Sequence, residues 1–487
     1  MTQNILRKLM LIAVLLTSSH AFAHDFEVDG IYYNITSASD LTVEVTFKGN
    51  SSTSYIEYSG YKKIPEKLVY NGDTYSVTRI GENAFGHCSG LTSVTIPNSV
   101  TRIGENAFEG CSKLTKITIP NSVISIGMNM SKDCSKLTSI IVENGNTIYD
   151  SRDNCNAIIQ TATNTLITGC KTTIIPNSVT KIGDGAFSGC SGLTSITIPN
   201  SVTKICGLAF SGCSGLTSII IPNSVKEIGL SAYKGCSKLT SVTIPNSVTK
   251  ISENVFYDCS NLTSIVVESR NTKYDSRDNC NAIIETTTNT LITGCKTTII
   301  PNSVTNIGQG AFRNCSSLTS ITIPNSVKII EQTAFYSCTG LTSVTIPNSV
   351  TSIGTYAFYN CSGLTEIICE NSIPATVESS TFDNITATLY VPVGSKSAYA
   401  NATGWSDFTN IIEDDVKTGV ESTLADNSVN VSVENGNIVV NGTENVNIEV
   451  YNVNGQCIYN GTATTIPISA KGLYIVKVNN KSFKVIL

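Results

Sequence analysis

The densest groups of oxygen ligands in the chain lie in two copies of one octapeptide. Residues 149–156 and 274–281 both read Tyr-Asp-Ser-Arg-Asp-Asn-Cys-Asn. Calcium prefers clustered carboxylate and amide oxygens, and the first copy offers Asp150, Asp153 and Asn154. The octapeptide lacks the alternating acidic residues and the glycine of a calcium loop, and its arginine offsets the negative charge. We therefore interpret it as a surface turn and expect no metal site.

Two pairs of cysteines could form disulfide bonds. Cys155 with Cys170, and Cys280 with Cys295, each flank two short apolar runs around a polar turn, a pattern that predicts a β-hairpin. A four-residue turn at residues 161–164 places Cys155 opposite Cys170. The same spacing in the second copy places Cys280 opposite Cys295. In an exported protein such a pair can be oxidised. A reduced pair buried for packing explains the same spacing.

The sequence contains no pattern typical of an enzyme active site. Catalytic serine, zinc-protease, phosphate-loop and dinucleotide motifs are all missing. Acidic residues also avoid the predicted strand positions where a paired-carboxylate site would lie. A net charge of −5, with 14% charged residues, does not favour nucleic-acid binding. We expect a protein that is not an enzyme, uses no cofactor and has no nucleic-acid partner.

A five-residue motif, Ile-Pro-Asn-Ser-Val, recurs along the chain and sets its architecture. Six of the eight steps between neighbouring copies are 23 residues long, and the other two are 56. In one unit, Leu91, Val94 and Ile96 have the spacing of a strand with one buried face, and Pro97 ends that strand because it has no backbone donor. This period predicts a β-rich leucine-rich-repeat solenoid, with one parallel strand and a short convex turn or helix in each coil.

Two further positions of the repeat predict the core. Cysteine recurs at one of them, where a small buried thiol suffices: Cys88, Cys111, Cys134, Cys190, Cys213, Cys236, Cys259, Cys315, Cys338 and Cys361. An aromatic residue recurs at the other: Phe85, Phe108, Phe187, Phe210, Tyr233, Phe256, Phe312, Phe335 and Phe358. Ser131 replaces the aromatic once. The aromatics could stack on carbohydrate, but their constant offset from the buried leucine favours the core.

The outward strand positions form the candidate ligand-binding surface. They predict a nearly uniform ladder of hydroxyl side chains on the concave face, suited to a repetitive ligand that is bound by avidity. The same ladder equally suits a rigid spacer whose contacts lie elsewhere. The candidate residues are Ser93, Thr95, Lys116, Thr118, Ser195, Thr197, Ser241, Thr243, Ser320, Thr322, Ser343 and Thr345.

The repeat unit resembles a known family. Its pattern, Ile-Pro-x-Ser-Val-x-x-Ile-Gly-x-x-Ala-Phe-x-x-Cys-x-x-Leu, is similar to that of the BspA-like leucine-rich-repeat proteins of bacterial surfaces, over roughly residues 25–412 if caps are included. The resemblance implies attachment to host matrix proteins or to other cells.

The two ends of the chain predict export. Arg7 and Lys8, an apolar run and Ala21-Phe22-Ala23 are typical of a secretory signal peptide, and no other segment is long and apolar enough to span a bilayer. Near the C-terminus, Val450-Tyr451-Asn452-x-x-Gly455, residues 472–476 and residues 481–487 resemble the sorting domain of the type IX secretion system. That resemblance implies delivery by the type IX machinery to the surface of a Gram-negative bacterium.

These patterns predict six segments. Residues 1–23 are the signal peptide, 24–80 an N-terminal β cap, and 81–370 the solenoid with hairpin inserts near 143–175 and 268–300. Residues 371–412 form a C-terminal cap, 413–427 a linker, and 428–487 an Ig-like β-sandwich for sorting. We expect a secreted or cell-surface adhesin for host matrix proteins, glycans or other cells. The alternative is a structural stalk without its own ligand.

Overall fold

The computed structural model describes most of the chain. The described residues are 24–49, 58–378, 380–383, 386–418, 430–434, 436–441, 447–453, 455–468, 470, 472–478 and 481–486. The predicted signal peptide and residues 419–427 of the predicted linker lie outside them. The described residues up to Ile299, with Gly308–Leu318, form one compact unit. Ile300–Ile307 and the described residues from Thr319 onward form a second.

The first unit opens with antiparallel strands that lead into the repeat. They are Phe26–Val28, Ile31–Ser37, Thr42–Thr46, Lys67–Tyr70 and Asp73–Ile80. Asn71 and Gly72 form the last turn with φ of 50° and 87°, a left-handed conformation that these two residue types tolerate best. Ile80 pairs in parallel with Ile103 of the repeat, so the sheet passes from this segment into the first coils.

The coils of the first unit supply two kinds of strand. The longer ones are Gly60–Lys63, Leu91–Thr95, Lys116–Ile119, Ser139–Val142, Ser241–Ile244 and Ser264–Val267; the short ones are Arg102–Ile103, Ser125–Ile126, Lys181–Ile182, Lys204–Ile205, Glu227–Ile228 and Lys250–Ile251. Neighbours pair in parallel one repeat apart, as Ile117 does with Ile140. After the longer strand, Val100 N–H donates to the Pro97 carbonyl (3.1 Å) and closes the turn. The predicted solenoid of parallel strands is confirmed.

The 56-residue steps contain hairpins, as predicted. The strands are Tyr149–Asp150, Ala157–Gln160 and Thr165–Gly169 in the first insert and Tyr274–Asp275, Ile283–Glu285 and Thr290–Thr293 in the second. The first hairpin does not stand out from the coils. In the first insert, Leu166 pairs in parallel with Ile182, so that hairpin lies within the sheet of short strands.

The predicted cysteine register is wrong by one residue. Gln160 pairs with Thr165 as expected, but a bulge follows and Ala157 pairs with Gly169. Extending this register puts Asn156, not Cys155, opposite Cys170, and the Cys170 thiol indeed donates to the Asn156 carbonyl (3.4 Å). The second insert has the same bulge. Cys155, Cys170, Cys280 and Cys295 are all buried and free of disulfides.

The second unit contains short and longer parallel strands and short helices. The short strands are Asn306–Ile307, Ile329–Ile330, Ser352–Ile353 and Thr376–Val377, the longer ones Ser343–Ile346, Glu366–Cys369, Thr388–Val391 and Asn410–Glu413, and the helices Lys396–Ala400 and Asp415–Thr418. Trp405 closes the core, with its indole N–H donating to the Ala375 carbonyl (2.8 Å). Among the described residues no helix has the length and hydropathy of a membrane span.

Residues 430–486 form two antiparallel sheets where they are described. One sheet comprises Asn430–Glu434, Asn437–Asn441 and Thr465–Pro467; the other comprises Ile448–Asn452, Cys457–Gly461, Leu473–Val478 and Lys481–Ile486. Ile438 and Ile466 of the first sheet and Val450 and Val476 of the second belong to one buried apolar cluster. This segment therefore has a core of its own, separate from the coil repeat.

The aromatic position fills the core, as the constant offset predicted. Phe187, Phe210, Tyr233 and Phe256 are buried and stack on one another with ring centroids 5.1, 5.3 and 5.5 Å apart. Such offset stacking adds to the energy of burial. These rings are not available for carbohydrate.

The cysteine position has a role beyond packing. The Cys111 thiol donates to the Phe85 carbonyl of the preceding coil (3.0 Å), and Cys134 does the same to Phe108 (3.0 Å). Burial raises the pKa of Cys134 to about 12, so the thiol keeps its proton. The same bond recurs at Cys213, Cys236, Cys259 and Cys361. Each thiol adds a second hydrogen bond to a carbonyl that already accepts one from a backbone N–H, as the Phe85 carbonyl does from Cys88 (3.2 Å).

Thiol titration tests this assignment. In the native mature chain we expect Cys457, the exposed cysteine, to react rapidly with an aromatic disulfide reagent, while the buried coil cysteines react only after unfolding. Cys457→Ser should remove the rapid phase. A rapid phase from several thiols, or fewer than the 17 thiols of the sequence after unfolding without reductant, would contradict it.

Candidate ligand-binding surface

The candidate surface consists of the two outward positions that lie two and four residues before each repeat proline. We call it the strand face. The structure places eight of the twelve predicted residues in strands: Ser93, Thr95, Lys116, Thr118, Ser241, Thr243, Ser343 and Thr345. Ser195, Ser320 and Thr322 lie outside regular strands, and Thr197 forms an isolated bridge with Ile220. All twelve are exposed or half-buried. Eight lie in the first unit; Ser320, Thr322, Ser343 and Thr345 belong to the second.

The prediction of a nearly uniform hydroxyl ladder is wrong for the first unit. Five exposed aliphatic residues interrupt it at the position two residues before the proline, or before the glutamate that replaces this proline after Ile141 and Val266. We call them the aliphatic row; its members and exposed fractions are Ile141 (38%), Ile174 (74%), Ile220 (82%), Val266 (44%) and Ile299 (72%). Exposed apolar groups that recur at one position of a surface are typical of binding sites.

Ile174 and Ile299 enter the row because each insert returns to the path of the coil. Thr172, two residues before Ile174, donates its hydroxyl to the Thr138 carbonyl of the preceding coil (2.5 Å), and Thr297 does the same to Thr263 (2.5 Å). Sequence reasoning missed these residues because they lie at the ends of the inserts, which were predicted only as hairpins. The signal was available, since Ile174 precedes Pro176 by the same two residues that separate Thr95 from Pro97.

Lysines line the strand face of the first unit, on it or just before its strands. They are Lys63, Lys113, Lys116, Lys136, Lys171, Lys238 and Lys296, and none forms an ion pair with another described residue. We call them the face lysines. Two carboxylates, Glu143 and Glu268, stand where the repeat otherwise has proline, and they accept hydrogen bonds from the backbone N–H groups of Asn121 (3.4 Å) and Asn246 (2.9 Å). The face is locally basic, although the chain is acidic overall.

The acidic octapeptides do not gather free oxygen ligands. Each forms a short 3-10 turn, Arg152–Asn154 and Arg277–Asn279, which confirms the turn interpretation. In the first copy the Arg152 guanidinium holds both carboxylate oxygens of Asp150 (2.8 and 2.6 Å) and the Asn164 side chain (3.0 Å). Asp150 is therefore committed to an ion pair that anchors the turn to the hairpin.

A small pocket lies where Ser131 interrupts the aromatic stack. Leu137, Gly169 and Ala186 supply part of its lining. At the equivalent position of the second block, 125 residues later, Phe256 is buried and stacks on Tyr233. The pocket is therefore a packing difference between the two blocks, and we do not regard it as a ligand site.

The two blocks should differ in how much stability a substitution at this position removes. Phe256→Ser should lower the free energy of unfolding by about 3–5 kcal/mol, because it removes a buried ring and leaves a cavity. Ser131→Ala, the matched change, should leave it nearly unchanged. Urea unfolding followed by circular dichroism measures both. Equal losses would show that the rings do not carry the stability.

Comparison with known proteins places the repeat and the C-terminal segment in two families. The model described as "BspA type Leucine rich repeat region" matches residues 67–166, 166–283 and 291–403. The model described as "Secretion system C-terminal sorting domain" matches residues 425–486. No curated protein sequence matches the chain.

Several solved structures are similar over most of the chain. A leucine-rich cell surface protein from Faecalibacterium prausnitzii is 22% identical, covering 82% of this chain and 96% of that one, with a TM-score of 0.35. A leucine-rich repeat protein from Bacteroides ovatus is 24% identical, covering 80% and 100%, with a TM-score of 0.34. The pneumococcal vaccine antigen PcpA is 16% identical, covering 82% and 100%, with a TM-score of 0.32.

Proposed function

Because the chain belongs to the BspA-type leucine-rich-repeat family, we propose that it is an adhesin, which attaches its cell to host matrix proteins, glycans or other cells. The C-terminal sorting domain marks the chain for type IX secretion to the outer cell surface. The protein therefore acts where such ligands are found.

The observation that carries this proposal is the aliphatic row of the first unit. Single exposed apolar residues are common on protein surfaces, but a rigid spacer does not require them to recur at one position of a face. Ile174, Ile220 and Ile299 are each more than two-thirds exposed, yet all occupy one position of the strand face. Flanking hydroxyls and lysines supply polar contacts. A surface of this composition supports binding, and we propose that the protein is not an enzyme.

Adhesion of whole cells tests the proposal. Cells that display the full chain should bind to surfaces coated with matrix proteins, with matrix glycans or with other cells. Because many displayed copies bind together, loss of the protein should reduce attachment by at least about tenfold on one of these surfaces. Cells that lack the gene, and the same cells complemented with it, provide the comparison. Equal attachment on every surface would favour the stalk without a ligand.

We propose that residues 428–487 serve export and are not needed for the coils to fold. The abrupt end of the repeat and the separate core of this segment support the division. A chain truncated after residue 427 should remain in the periplasm, where protease added to intact cells cannot digest it, and its coil domain should keep a cooperative thermal transition. Normal surface levels of the truncated chain would refute the assignment, and loss of the transition would show that the segment supports folding.

A further inference from the structure

Over five successive coils of the first unit, the aliphatic row alternates with hydroxyl side chains. From Ile174 the row position of successive coils reads isoleucine, Thr197, Ile220, Thr243 and Val266. Thr197 bridges Ile220 and Thr243 pairs with Val266, in parallel strands. Neighbouring strands lie about 4.8 Å apart, so an apolar group recurs about every 10 Å along this surface. Over these five coils the surface thus has a two-coil period, and Ile141 and Ile299 add a second apolar residue beside each end of the stretch.

The two-coil period and the charge of the strand face indicate which kind of elongated partner fits this surface. An extended peptide presents side chains to one side about every 7 Å, which does not fit. A disaccharide unit has a length of the observed order, and a polymer of two alternating sugars fits alternating apolar and hydroxyl positions. The face lysines have no carboxylate partner among the described residues. They therefore complement an anionic chain and attract it over a distance.

We propose that the strand face of the first unit binds an acidic polysaccharide of the extracellular matrix in which a uronic acid alternates with an N-acetylated sugar. The acetamido methyl groups contact the aliphatic row, and the uronate carboxylates pair with the face lysines. Serine and threonine hydroxyls bond to the sugar hydroxyls between them. This proposal rests on the proposed adhesin function and specifies its ligand.

Other partners fit the face less well. A folded protein is usually held by buried tryptophan, tyrosine or arginine, and Tyr61 at one end is the one such side chain on the described strand face of this unit. A single-stranded nucleic acid needs aromatic surfaces on which its bases stack, and the rings of the repeat are buried in the core. A polymer bound through many weak, similar contacts needs neither.

Binding of hyaluronan to the full mature chain tests the proposal by titration calorimetry. Changing Ile174, Ile220 and Val266 together to threonine should weaken binding at least tenfold. Threonine already occupies this position in neighbouring coils, so the thermal transition should not change. The matched control changes Ile124 and Ile373, which are exposed (54% and 73%) but not on this face, to threonine and should bind as the wild type does.

A second set of variants tests whether the lysines that bind the ligand are those of the strand face. Changing Lys116, Lys171 and Lys296 to glutamine should weaken binding at least tenfold and reduce its dependence on salt. Changing Lys181, Lys226 and Lys250, which lie on or beside the short strands, removes the same charge and should have little effect. Equal losses in both sets would overturn the placement of the ligand on the strand face.

The choice of polymer separates the remaining outcomes. Neutral dextran should not bind, and polygalacturonate, which lacks acetamido groups, should bind more weakly than hyaluronan. Equal binding of polygalacturonate would overturn the assignment of acetamido groups to the aliphatic row. Equal binding of poly-glutamate would indicate an acidic peptide instead. If no polysaccharide binds while displaying cells still attach to matrix proteins, this inference fails and the adhesin function stands; if such cells attach to nothing, both fail.

Discussion

Backbone hydrogen bonds between successive coils hold the repeat in register, and each side chain therefore lies beside the same position of the next coil. Ile117 faces Ile140 and Phe187 stacks on Phe210 for this one reason. A side chain that packs well against the same side chain of the next coil stabilises the fold in every coil. A side chain that repels its copy destabilises the fold equally often. Aromatic, aliphatic and hydroxyl side chains satisfy this condition, and charged ones do not.

The ladder of short strands shows how charge is accommodated. Lys181, Lys204, Glu227 and Lys250 are successive neighbours in it. Glu227 interrupts the row of lysines and lies 2.9 Å from the Lys204 amine. Both groups are well exposed, so the pair contributes little to stability by itself. Its effect is to relieve like-charge contacts that the register would otherwise impose.

The sequence predicted the features that recur in every coil and missed those confined to the two inserts. The constant offsets of leucine, cysteine and aromatic residues identified the core, since a position that recurs at fixed spacing must meet the same environment in every coil. The hairpin turn at residues 161–164 was also predictable from its apolar flanks. The bulge beyond Ile159 was not, because the turn fixes pairing only up to the first irregularity. The place of Ile174 on the strand face was missed for a related reason. It depends on where the insert rejoins the coil, and Thr172 decides this through one hydrogen bond.

Strand propensity alone does not account for the aliphatic row. Isoleucine and valine favour strands, and on an outward position they could serve to stiffen the backbone. That explanation applies to Ile141 and Val266, which lie within four-residue strands and are the least exposed members of the row. It does not apply to Ile174, Ile220 and Ile299, which lie outside regular strands and are the most exposed. Outside regular strands, strand propensity explains least, and it is there that the apolar side chains are most exposed to water. This exposure, recurring at one position of the face, supports the proposal that the row contacts a partner.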